Sequence, residues 1–506
     1  MDIHMDGGQV APAKRPPSEV TRSPAAMLFP LALAQFIASY AASNMNVAIS
    51  DIATDLGTTV RGVQTAITLF TLAMAALMIP GSKLTDIWGR KFCFVAGLSV
   101  YGLGALLAAI AQGLGLMYFG YSLLEGIGSA LMIPPIYILI TVAFSDVKSR
   151  AKWFGIVSAA AGIGAAAGPL IGGLVTSTIS WRASFILQVL VVASIIVMSR
   201  RINDARIQGA RPRFDLIGAV LSAVGLFFIV YGIQLSGTYG WLTAREAFYI
   251  GSTEVIQQGG ISPVWAFVVI GALFLVWFFV HIGSRERSGK EPLLSTRMFR
   301  NRVSNLGLVT QNVQWLVLQG SFFVISVFLQ EVRNLSAIET GLVLTASTAG
   351  ILLSSGFAQR MAQRRAQRTI IWVGFVTTIA GIVLVLLLAR ATSNLVTFLP
   401  GLLFIGIGVG MMLTSSVNVV QSAFTEKDQG EISGLSRSVS NLGSSLGTAL
   451  VGSVLVANLL PNNQDFVLAL VAMVVIASIG LVAAILLPKE EKKAALASQS
   501  SQASPV

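Results

Sequence analysis

Fourteen runs of apolar residues, each about the 20 that an α-helix needs to cross the hydrocarbon core of a bilayer, dominate this chain of 506 residues. They fall at roughly 27–49, 62–81, 92–112, 115–141, 153–176, 183–199, 216–236, 263–282, 303–328, 340–358, 369–389, 397–420, 434–459 and 466–487. Within lipid, only helices and closed barrels satisfy their own backbone hydrogen bonds, and these runs are too long for barrel strands. Composition agrees: 54% of the residues are hydrophobic and 11% charged, more apolar sequence than a water-soluble core can use. The chain therefore reads as an all-α, multi-pass integral membrane protein with the lipid bilayer as its first partner. The polar stretches 1–26 and 489–506 read as disordered cytoplasmic tails, and no cleavable signal peptide is expected.

A net charge of +12 would suit a nucleic-acid partner, but its distribution excludes one. The basic residues sit in short segments between apolar runs, where membrane topology accounts for them. With the N-terminus in the cytoplasm, 28 of the 34 Lys and Arg fall on inside segments. Arg61, Arg182, Arg245, Arg333 and Arg390 fall outside, and Arg437 lies within the thirteenth run. This bias puts both termini in the cytoplasm and makes the number of crossings even. The one cysteine, Cys93, rules out an intrachain disulfide and reads as a packing residue. His4 and His281 are the only histidines, and neither stands with acids or cysteine at ligand spacing. No metal site, cofactor or catalytic residue is expected, and no nucleophile motif is visible. A membrane-embedded enzyme, the alternative from another functional class, finds no residues to support it.

The most specific stretch is Pro80-Gly81-Ser82-Lys83-Leu84-Thr85-Asp86-Ile87-Trp88-Gly89-Arg90-Lys91-Phe92, between the second and third runs. It reads as a short charged loop. Asp86 and Arg90, four apart, would meet on one helical turn, and Gly89 permits a tight bend. The pattern Gly81 or Ser82, Asp86, Gly89, Arg90, Lys91 resembles the signature loop of the major facilitator superfamily. Ser82 stands where that family has its first Gly, with Gly81 one residue early. The resemblance implies that these residues form a cytoplasmic gate.

Fourteen runs with this loop after the second resemble the fourteen-span drug:proton antiporter branch of that superfamily. The implied fold is two six-helix bundles plus two extra helices. Residues 27–200 would form the first bundle, 201–302 a linker carrying the extra pair, and 303–488 the second bundle. Arg213-Phe214-Asp215-Leu216-Ile217-Gly218, and Glu291-Pro292-Leu293-Leu294 followed by Met298 to Arg302, look like the usual joints of that branch. The outside segment 237–262 reads as a solvated insertion, either a hairpin or a surface helix.

The fifth run is rich in glycine. Gly164, Gly168 and Gly172 are four apart and form a smooth stripe that lets another helix approach closely in lipid. Pro169 removes a backbone donor and permits a bend. Gly164, Gly168, Pro169, Gly172 and Gly173 together resemble the antiporter motif of the superfamily, which implies export by exchange. Gly443 and Gly447 form a looser counterpart in the thirteenth run.

Of the 22 acidic residues, only Glu125 falls deep within a run, about ten residues into the fourth. A carboxylate at that depth is costly unless it is protonated, paired or facing water. Glu125 is therefore the candidate proton-coupling or cation-binding group, the alternative being a protonated acid hydrogen-bonded within the bundle. The branch usually carries Arg and Gln in this helix, where Ser122 and Glu125 stand here. It also has an Asp five residues before an Asn in its first span; Asn46 fits, but Ala41 replaces the acid. These departures are consistent with a proton site moved to the fourth run or with weaker coupling.

Tyr40, Asn44, Gln311, Gln314 and Trp315 are the candidate lining of a central substrate cavity, with Gln311 and Trp315 on one helical face. The expected protein is a monomeric secondary transporter of the plasma membrane, a bacterial inner membrane. It would export amphipathic small molecules by alternating access in exchange for protons. The alternative on the same fold is a lipid, lysolipid or fatty-acid permease.

Overall fold

The computed structural model describes residues 24–488 apart from 46–47, 145–146, 201, 203–212, 251–252, 365, 391, 425–427 and 457–463. The expected tails lie outside these residues, except that 24–26 already belong to the first helix. Asn46 also lies outside them.

Helices α1 (Pro24–Asn44), α2 (Ile49–Asp55), α3 (Val60–Trp88) and α4 (Arg90–Ala109) are followed by a short α5 (Leu114–Met117). A wide π-helical stretch, Tyr118–Glu125, leads from it into α6 (Gly126–Ala143). Then come α7 (Val147–Thr178), α8 (Trp181–Ser199), α9 (Leu216–Tyr239) and α10 (Pro263–Arg287). The remainder is α11 (Arg302–Val327), α12 (Ala337–Arg364), α13 (Gln367–Leu388), α14 (Phe398–Ser422), α15 (Gln429–Val456) and α16 (Gln464–Leu486). Within the described residues, each of the fourteen apolar runs falls mainly on helical backbone. Among the described residues, eleven helical stretches are long and apolar enough to cross a membrane, and Ile338–Ser354 of α12 is a shorter apolar helix. The stretches within α1 and α15 fall outside that count.

Three apolar clusters organise the packing. One gathers buried side chains from Leu28 to Ile202, with Tyr101, Tyr121 and Phe185 at its heart. A second runs from Val313 to Leu487. The third joins α9 and α10 to α3 through Ala76 and Ile79, and to α11, α14 and α15 through Leu308, Val420 and Leu435. The helix pair α9 and α10 thus leans on both halves beside the α3–α15 seam. Large apolar side chains such as Leu273, Val276, Trp277 and Val280 of α10 and Val475 and Ile479 of α16 are exposed. Such outward bands suit lipid rather than water.

The two joints expected to flank the extra helices bind each other. Asp215 caps α9 by accepting the Gly218 N–H and also accepts the Leu293 N–H at 3.2 Å. His281 Nε2 and Arg285 Nε lie 3.0 and 3.5 Å from its two oxygens.

The outside segment is shorter than expected, because α9 continues to Tyr239 and the turn begins at Gly240, whose φ of +73° suits glycine. It is a hairpin, β1 (Phe248–Ile250) antiparallel to β2 (Thr253–Ile256). It is not simply solvated: Trp241 Nε1 donates to Ser453 Oγ of α15 at 2.6 Å.

Candidate functional site

The charged stretch after the second apolar run is not a loop. Helix α3 continues through Trp88, α4 starts at Arg90, and Gly89 alone connects them with φ +100°. Its N–H still closes the last turn onto the Thr85 carbonyl at 3.1 Å. Because the helix breaks there, Asp86 and Arg90 do not share a turn and form no ion pair among the described residues.

Asp86 instead reaches the other half. Its carboxylate sits against Gly430, in the first turn of α15, where a Cβ would collide with it. A helix N-terminus carries partial positive charge, so an anion is stabilised there. Ser82 Oγ donates to the Gly430 carbonyl. Lys83 Nζ lies 3.1 Å from Glu431 Oε1, and both side chains are largely buried. Farther along the seam Gly434 abuts Ser82, and Ser438 Oγ donates to the Ala75 carbonyl at 3.1 Å. Gly430, Gly434 and Ser438 recur every four residues and present one small-residue face of α15 to α3. The remaining members of the stretch act within the first half. A Cβ on Gly81 would strike the Ala130 carbonyl of α6. Lys91 Nζ donates to the carbonyls of Arg200 and Ile202 at 3.2 and 2.7 Å, satisfying the end of α8.

The glycine helix presents two faces. Gly164, Gly168 and Gly172 lie against α1, where a Cβ would strike the Phe36 carbonyl, Ser43 and Asn44 respectively. Gly173 faces the other half, where a Cβ would lie 3.3 Å from Ile338 of α12, and a Cβ on Gly162 would meet Ile351. Helix α7 runs unbroken through Pro169. In α15, Gly443 and Gly447 face the α11 carbonyls of Asn312 and Leu316.

The expected cavity lining separates into two groups. Tyr40 and Asn44 are buried where α1 meets α7 and α8. The Tyr40 hydroxyl pairs with Ser184 Oγ of α8 at 2.6 Å, and Asn44 abuts Gly172. A buried phenol needs a hydrogen-bond partner, and α8 supplies it. Gln311 and Gln314 are buried among the second-half helices. Gln311 Oε1 accepts from Ser436 Oγ at 2.8 Å and Gln314 Oε1 from Ser416 Oγ at 3.1 Å. Trp315 is half-buried beside them.

Glu125 ends the π-helical stretch and is fully buried inside the first half, facing Gly104 of α4. Neither carboxylate oxygen makes a well-aligned hydrogen bond among the described residues, although the Tyr101 hydroxyl lies within interacting reach. Tyr101 and Tyr121 are its polar neighbours, and Tyr101 donates to Gln188 Oε1 at 2.6 Å. Ser122, where the related branch has Arg, donates to the Ala66 carbonyl at 2.8 Å. The group is away from the α3–α15 seam.

The two halves thus meet through a charged helix end and small-residue seams. Comparison with protein families matches the Major Facilitator Superfamily over residues 31–288 and 307–505. The chain belongs to the Major Facilitator Superfamily. Among its major-facilitator relatives is the puromycin resistance protein pur8 of Streptomyces alboniger, 28% identical over 81% of this chain and 77% of that one. The multidrug resistance protein Stp of Mycobacterium tuberculosis is 26% identical over 82% of this chain and 72% of its own length. The crystal structure of the human organic anion transporter MFSD10 superposes with a TM-score of 0.61 at 11% identity, covering 92% of this chain and all of that one, a likeness of fold. This major-facilitator chain is a multi-pass membrane transporter rather than an enzyme, and its relatives are drug and antibiotic resistance proteins.

Sequence reasoning missed Gly430, Glu431, Gly434 and Ser438. The four-residue spacing of small residues at the start of α15 is the signal that could have found the seam.

Proposed function

We propose that this protein exports amphipathic small molecules across the plasma membrane by alternating access in exchange for protons. All fourteen apolar helices would cross, both termini would be cytoplasmic and the working unit would be one chain. The observation that carries the reading is the clasp of Ser82, Lys83 and Asp86 against Gly430 and Glu431. It joins the two halves at the end bearing the basic segments, and releasing it would open a path to the cytoplasm. Relatives named for antibiotic and drug resistance support export as the direction.

Glu125 is the candidate coupling group. Among the described residues, the other buried carboxylates, Asp215 and Asp465, belong to helix starts, and Asp215 is paired. A buried carboxylic acid with a tyrosine hydroxyl beside it and no ion-pair partner among the described residues can exchange a proton when the half around it rearranges. Proton flux into proteoliposomes, driven by an imposed substrate gradient across a panel of antibiotics and dyes, tests the reading. Substrate movement with no accompanying proton movement would remove the coupling and leave the transporter.

One observation favours a lipid permease as the second reading. A cleft of about 360 Å³ opens between α3, the π-helical stretch and α9, lined by Leu69, Ala73, Leu77, Leu123, Phe227 and Phe228. Leu123 and Phe227 are exposed on the side where lipid would lie. Transport of lysolipid but of no drug in the same vesicles would favour it.

A further inference from the structure

Arg437 lies eight residues into α15, about 12 Å from the helix start by helical rise. It is only 8% exposed. Its guanidinium carbon stands 3.8 Å from the ring centroid of Tyr137, on α6 of the other half. The Tyr137 hydroxyl in turn donates to Gln35 Oε1 of α1 at 3.3 Å. Among the described residues Arg437 makes no ion pair, and the buried acids Glu125, Asp215 and Asp465 belong to other sites.

A ring face attracts a cation, and the Tyr137 hydroxyl lies within hydrogen-bonding reach of the guanidinium, but no acid among the described residues balances its charge. A buried charge without a counter-charge is among the costliest arrangements a membrane protein can hold. The neighbourhood repeats the imbalance. Asn441 lies four residues on, on the same face of α15, and its buried Nδ2 has no acceptor among the described residues. Gln311, tied to Ser436 beside Arg437, has a buried Nε2 in the same state. Three sets of donors and no acid call for a partner rich in acceptors and negatively charged.

We infer that Arg437 is the anion-recognition point of the transport path, and that the exported amphiphile carries a carboxylate. The planar fork of the guanidinium suits a carboxylate bidentately. This rests on the exporter reading above and names the class of its substrate.

The test compares rhodamine B with its ethyl ester, two dyes that share one cationic body and differ by a single carboxylate. Efflux of each is measured in proteoliposomes holding the wild type, Arg437→Gln or Arg437→Lys, each checked for a monodisperse detergent peak before reconstitution. The wild type should move the acid in preference to the ester. Arg437→Gln should lower the acid-to-ester rate ratio by about tenfold or more. Arg437→Lys, which keeps the charge, should retain a preference for the acid, and it decides the question if the Gln variant aggregates. A ratio unchanged in Arg437→Gln, a Lys variant that prefers the ester, or a wild type that prefers it overturns the inference and leaves the exporter standing. A wild type that moves neither dye overturns the exporter reading, and the inference with it.

Discussion

Lys83 Nζ and Glu431 Oε1 lie 3.1 Å apart although 348 residues separate them, and the pair bridges α3 of one half to α15 of the other. Both side chains are largely screened from solvent, so the contact is stronger than an exposed surface pair. Removing either partner leaves the other charge in a poor environment, a loss of about 1–3 kcal/mol of closure. A double-mutant cycle separates that penalty from the pair itself. With Cys93 replaced, a cysteine at Ser438, which faces Ala75 across the seam, should be alkylated from the cytoplasm several times faster in Glu431→Gln and in Lys83→Gln. The double variant should show less than the combined effect. Labelling at the parental rate in both single variants would mean that the pair does not hold the seam.

Gly168→Leu should separate α1 from α7, because even a Cβ there collides with Ser43 and comes within 2.9 Å of the Asn44 nitrogen. Overpacking of this kind costs about 1–3 kcal/mol or more. The midpoint of thermal unfolding in detergent should drop clearly, with loss of transport. Gly283→Ala in α10 is the control, since nothing lies within 4 Å of its Cβ position. Equal midpoints for the two variants would show that the α1–α7 approach adjusts freely.

Glu125→Gln should abolish concentrative, proton-driven export while preserving substrate binding. The amide matches the protonated acid in shape and in hydrogen bonding. Counterflow exchange, which needs no net proton movement, should survive. A variant that still concentrates substrate when only a pH difference is supplied would make Glu125 a structural acid.

Cysteines at Ser288 and Gln258 test orientation. Ser288 follows α10 beside the basic cluster Arg285 and Arg287, and Gln258 lies in the hairpin segment at the opposite end of that helix. In intact cells, an impermeant maleimide should label Gln258→Cys and leave Ser288→Cys untouched until the membrane is opened. The reverse pattern would invert the protein.

The stripe Gly164, Gly168 and Gly172 is legible in the sequence because identical residues recur at the helical period, and they do meet another helix. Gly430, Gly434 and Ser438 do the same on α15, yet mixed residue types hide the repeat at the polar end of a run. The helices themselves follow directly from apolar length. Which side of a helix faces its neighbours does not, because helices apolar all round carry no directional signal. The pairing of Tyr40 with Ser184 and the close approach of Asn44 to Gly172 therefore come only from the packing of α1 against α8 and α7. Lys83 with Glu431, and Arg437 with Tyr137, unite distant segments, and no local spacing encodes them. Gly89 was legible as a bend, but its neighbours were not legible as helix, since charge near a membrane surface suits a loop equally well.

Glu431 has a second attachment: while Oε1 holds Lys83, Oε2 accepts the Ser295 N–H at 2.8 Å, from the segment between α10 and α11. In the proposed alternating-access cycle, this backbone tether would stay with α15 as α3 moves off and would keep the carboxylate aimed at the gap. Lys83 returning would meet an acceptor already in position, so reclosure need not wait for a rotamer search. The inserted helix pair would then serve as a latch keeper, tuning how quickly the transporter resets after each cycle.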